Sequence, residues 1–205
     1  MEIVVAGSAE RWVTPEVGVL EVALEQEGED REFVVDLTAE LARRFSEAVA
    51  PLKPTVVIRW SLQPVRVHTW RSGKGGGTLR YRATVQATIT FRDFQALADF
   101  AVSWGSAPGV EIQYTSWALS SETERRLETE LLTEAVTAGR RRAETMAQAA
   151  GATLTGCVEL SDHPVSPDGA FTEAAVASAA RDSSGVVEPE QICRGVTVYA
   201  RYRAE

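Results

Sequence analysis

The chain has 205 residues, 44% of them hydrophobic and 24% charged, which is ordinary for a soluble globular protein and long enough for one substantial core. A net charge of -8 and a pI near 5.0 argue against broad binding to phosphate backbones, for which a basic face is the expected footprint. No stretch is apolar for long enough to span a bilayer, and MEIVVAGSAERW carries Glu2 and no basic segment, unlike a secretory leader; a cytoplasmic protein with no nucleic-acid or membrane partner is expected.

Glu2 to Trp12 reads as a first strand, and Pro15-Glu16 marks a turn into a second, Val17 to Glu25, with Leu20, Val22 and Leu24 on its buried face. From Arg31 to Leu52 the period becomes helical, with Val34, Leu37, Leu41, Phe45 and Val49 on one stripe, and Pro51 and Pro54 close the helix. Thr55 to Trp70 then alternates as a strand, and so does Thr78 to Phe91, TLRYRATVQATITF. In the latter, Leu79, Tyr81, Ala83, Val85, Ala87, Ile89 and Phe91 take one face and Arg80, Arg82 and Thr84 begin the other. Between the two strands RSGKGGG has little to pack and readily takes positive φ, so the pair is a long antiparallel hairpin whose tip projects beyond the body of the domain.

Asp93 is placed to cap a helix from Phe94 to Trp104, with Phe94, Leu97, Ala101 and Trp104 as its apolar stripe. Val110 to about Ala118 is another strand. Residues 17–118 thus carry the ferredoxin-like βαββαβ order of an α+β protein, an antiparallel sheet with helices packed on one face. A long helix follows, opened by a Ser121 and Glu124 capping box, striped by Leu127, Leu131, Ala135, Ala138, Arg142 or Ala143, Met146 and Ala150, and stopped by Gly151. Leu154 to Leu160 and Ile192 to Tyr202 are two further strands. The segment between them, residues 161–189, lacks a period and is rich in Ser, Asp, Ala, Gly and Pro, so a flexible loop is expected there within a single domain of residues 1–205.

With these pieces placed, the chain resembles the SIMPL-domain family over nearly its whole length. IVVAGSAERWVTPEVGVLEVALE is similar to that family's first hairpin, YRATVQATITFRDFQAL to its long strand and capped helix, and EAVTAGRRRAETMAQAAGATLTGCVEL to its alanine-spaced helix ending in Gly before a strand. Two departures stand out: many relatives carry an export signal, and Thr155-Gly156 stands where a Leu-Gly pair is more usual. The resemblance implies an α+β fold, self-assembly into large rings in some relatives, and a loose link to envelope function or oxidative-stress resistance. It supplies no catalytic residues.

The residues themselves offer no catalytic constellation, metal cluster or cofactor motif. His68 and His163 are far apart and have no local partners, and RSGKGGG lacks the spacing of a phosphate-binding loop. Arg140, Arg141 and Arg142 fan around a helix at about 100° per residue and read as a solvated face. Cys157 and Cys193 read as inert buried thiols; a redox pair would need their strands to be neighbours with Cα atoms within about 7 Å. By period Trp60 and Trp104 belong to a core, whereas Trp70 and Trp117 are expected at a contact surface.

These features point to a non-enzymatic SIMPL-domain protein, a homo-oligomer or a module with a protein partner, possessing no cofactor. Its assembly contact is expected at the hairpin end, Trp70, Gly73, Lys74 and Gly75. The competing expectation is a small-molecule or anion-binding protein, or an enzyme, that uses Arg59, Arg80 and Arg82; the two latter share one strand face.

Overall fold

The computed structural model describes residues 1–52, 56–73, 77–163 and 189–205. In chain order the elements are β1 (Glu2–Val13), β2 (Val17–Gly28), α1 (Arg31–Val49), β3 (Val57–Leu62), β4 (Arg66–Ser72), β5 (Thr78–Phe91), α2 (Phe94–Gly105), β6 (Val110–Ala118), α3 (Ser121–Ala149), β7 (Leu154–Ser161) and β8 (Ile192–Ala204). The fold is α+β with antiparallel sheets. Two compact units form: residues 15–118 with 189–190, and residues 1–14, 119–163 and 191–205. Of the expected loop 161–189, residues 164–188 lie outside the described residues.

In the first unit the sheet order is β3-β5-β2-β6, and β4 also pairs with β5. The alternation read from β5 is realised over its second half, where Ala83, Val85, Ala87, Ile89 and Phe91 are all buried. Val85, Ala87, Ile89 and Phe91 meet Leu20, Val22 and Leu24 of β2, Leu41, Phe45 and Val49 of α1, and Leu97 and Phe100 of α2. Phe45 stands edge-on to Phe100 and Trp104 at 5.5 and 4.9 Å between ring centroids, a favoured aromatic geometry.

Asp30 and Asp93 cap α1 and α2 by accepting hydrogen bonds from two freed amides each. Two stripe positions differ from the periodic reading. Thr38 is buried in place of Leu37, because its hydroxyl is satisfied by the Val34 carbonyl at 2.8 Å. In α2, Phe100 joins the core while Phe94 packs on Trp117 at 5.0 Å.

The strand expected over Thr55 to Trp70 is two strands, β3 and β4. Leu62 lies opposite Ala87 and Arg66 opposite Thr84, so three intervening residues face two. Gln63 keeps its place by donating to the Gln86 carbonyl at 2.8 Å, and Pro64, with no N–H to give, sits where the ladder breaks.

In the second unit the order is β1-β8-β7, with α3 packed on β1 and β8. β1 therefore pairs with β8 and not with β2, which corrects the first hairpin suggested by the resemblance. The buried line of α3 runs Thr123, Leu127, Leu131, Ala135, Gly139, Ala143 and Ala147; Met146 is exposed. Small side chains let the helix ride close to β1, with Gly139 against Gly7 and Ala147 packed with Ile3 and Val5. Ser120, not Ser121, is the N-cap and accepts from Thr123 N at 3.2 Å; Glu124 turns instead to Arg194 of β8 at 3.1 Å.

Candidate functional site

The face of the first unit's sheet turned away from α1 and α2 is built by strand alternation. On β2, Glu21, Glu25 and Glu27 alternate with the core residues and lie opposite Thr88, Thr84 and Arg82 of β5. The carboxylates are met across the strands: Thr88 Oγ1 donates to Glu21 at 2.9 Å and Thr84 Oγ1 to Glu25 at 3.3 Å. Arg82 bridges Glu25, at 3.0 Å, and Glu27, whose hydrogen bond pushes the Arg82 guanidinium pKa up. Arg80 reaches Glu29 at 3.4 Å.

Beyond this ladder, β4 sets Arg66, His68 and Trp70 opposite Thr84, Arg82 and Arg80, hence on the same face. The His68 and Trp70 rings stack at 6.0 Å and 17°, and the Arg82 guanidinium lies 5.3 Å from the Trp70 ring centroid. Where β3 gives way to β4, a cleft of about 370 Å³ opens between Gln63, Pro64, Arg66, His68, Thr84 and Gln86.

Arg59, Arg80 and Arg82 thus share one sheet face, but they do not converge. Arg59 is opposite Thr90, eight positions along β5 from Arg82, or about 26 Å. Trp70 is half-buried within the hairpin, and Gly73 holds φ 105, the left-handed turn that a side chain resists. Lys74 and Gly75 lie outside the described residues. Among the described residues no three His, Cys, Asp or Glu side chains are grouped to hold a metal ion, and no helix is long and apolar enough to cross a membrane.

A family model described as SIMPL, protein of unknown function (DUF541), matches residues 3–202. The chain belongs to the SIMPL family. None of the curated proteins compared with it matches.

As a SIMPL protein the chain inherits no assigned chemistry, so its own cleft residues matter most. Gln63, Arg66 and His68 are not among the site residues that sequence reasoning selected. One signal for them was legible: between Glu47 and Asp93 the sequence contains lysines and arginines but no Asp or Glu, in a chain of net charge -8. Pro64 inside an alternating run was a second, since proline in a sheet marks an edge or a bulge.

The thiols also depart from the buried reading. Cys157 is exposed on β7 and Cys193 half-buried on β8. They lie opposite Tyr202 and Trp12 respectively, which separates them by nine positions along β8, about 30 Å. Trp12 is 62% exposed, the most open of the tryptophans, while Trp117 is half-buried.

Proposed function

We propose that this SIMPL protein is a non-enzymatic assembly module whose β4–β5 hairpin docks on a second copy of the chain. The observation that carries the reading is the state of β4. None of its residues is buried, and it pairs only with β5, so its other backbone edge is open among the described residues. Open strand edges are either protected or paired with another chain.

Charge favours another copy as the occupant. The hairpin lies within the acid-free stretch between Glu47 and Asp93, whereas the whole chain carries -8, so one copy's hairpin is attracted to the acidic remainder of another. Arg80 and Arg82 enter as contact cations held in place by Glu25, Glu27 and Glu29. A role in stress resistance, which the resemblance implies, would be exercised through the assembly.

Size-exclusion chromatography with light scattering tests this. The wild-type chain is expected above monomer mass. A variant in which Arg71 to Gly77 are replaced by an Asn-Gly turn should be a folded monomer. A wild-type monomer at high concentration, or unchanged assembly of the shortened variant, overturns the reading.

A further inference from the structure

We propose that the cleft at the break between β3 and β4 binds a small organic anion, its carboxylate or phosphate group held by Arg66 and His68. The cleft exists because the strand carries an extra residue. Bulges bend a strand and re-aim its side chains, and this one turns Gln63 and Arg66 toward the same opening. Its volume of about 370 Å³ suits a ligand of modest size.

The charge balance decides the ligand's sign. Arg80 and Arg82 are already paired with the β2 carboxylates, and Glu25, opposite Thr84 of the cleft, is engaged by both Arg82 and Thr84. Arg66 forms no ion pair among the described residues. One of its N–H groups is oriented by the Gln63 Oε1 at 3.1 Å, which leaves further donors of the planar fork for an oxyanion. His68 stands beside it, its ring steadied by the parallel stack on Trp70, and the Gln86 amide completes the polar lining. A guanidinium, an imidazole, two amides and no uncommitted acid make an oxyanion the matching guest. The cleft lies at the Arg66 end of β4, whereas the hairpin turn follows Ser72, and its ligand does not require a second copy.

The test is a titration of the isotope-labelled full-length protein with inorganic phosphate and, separately, with succinate, followed by NMR. Saturable shifts at Gln63, Arg66, His68 and Gln86 are expected with at least one probe; phosphate alone would assign a phosphorylated guest and succinate alone a carboxylate. Arg66→Ala should weaken binding about tenfold or more, the scale of one lost charge-assisted hydrogen bond. Arg80→Ala should leave it unchanged. His68→Gln provides the same readout should Arg66→Ala fold poorly, and the hairpin-shortened monomer should bind like wild type. No saturable shift with either probe at millimolar concentration, or wild-type binding by Arg66→Ala and His68→Gln, overturns the proposal.

Discussion

Gly139 of α3 rests directly against the backbone of Gly7 in β1: a β-carbon built on Gly7 would stand 2.6 Å from the Gly139 Cα and closer still to the Ala135 carbonyl oxygen and the Gly139 nitrogen. The contact is backbone on backbone, so no side chain can rotate aside to relieve it. The reverse substitution differs. A β-carbon on Gly139 would meet the Gly7 nitrogen at 3.4 Å, an ordinary contact distance.

This asymmetry predicts unequal effects on stability. Gly7→Ala should force the helix off the sheet and destabilise by about 1–3 kcal/mol, as overpacking does. Gly139→Ala should fall within about 1 kcal/mol of wild type, because the new contact is an ordinary one and Ala has the better helix propensity. Urea denaturation of both variants checks the order; a Gly139→Ala variant as unstable as Gly7→Ala would contradict it.

The helix caps give a second expectation. Asp30 accepts from Glu32 N at 2.9 Å and Phe33 N at 3.1 Å; Asp93 accepts from Gln95 N at 2.9 Å and Ala96 N at 3.0 Å. Replacing either by Ala should cost about 1 kcal/mol, and replacing it by Asn or Ser much less. Equal losses for Ala and Asn would mean that the aspartates act by charge rather than by capping.

What the sequence disclosed follows from the range of each signal. Alternation in Thr78 to Phe91 and the cap at Asp93 are local, and both β5 and α2 form where they indicate. Alternation assigns a strand's faces, but pairing is non-local, so nothing in Glu2 to Trp12 names Ile192 to Ala204 as its partner. Gly139 is invisible to a hydrophobic stripe, having no side chain, yet its backbone lies against Gly7 of β1. His68 looked isolated along the chain because Arg82, which stands opposite it, is reached only across the strand pair.

The thiols should behave independently. Cys157 is exposed and Cys193 half-buried, and about 30 Å of β8 lies between Cys193 and Tyr202, the residue opposite Cys157. Oxidation should therefore yield no disulfide within one chain; any cross-link formed should join two chains and disappear in Cys157→Ser. Alkylation without denaturant should modify Cys157 first. Mass mapping of a Cys157–Cys193 disulfide within a monomer would refute this.

Tyr202 gives the protein an alkaline limit whose sign can be worked out. It is buried against Ile3, Val5, Ala143 and Ala147, and burial raises its pKa above the usual 10.0 by disfavouring the phenolate. The nearby Cys157 adds to the rise, as does Glu144, while Arg140 opposes it. The folded state thus holds the phenolic proton more tightly than the unfolded chain does. Its contribution to stability is complete below pH about 10 and is lost as the pH climbs through the raised folded value. Tyr202→Phe removes that dependence. Urea midpoints measured at intervals from pH 8 upward should fall more steeply for the wild type than for the variant once the pH passes about 10. Parallel slopes for the two proteins would show that Tyr202 ionises as readily in the folded chain as in the unfolded one.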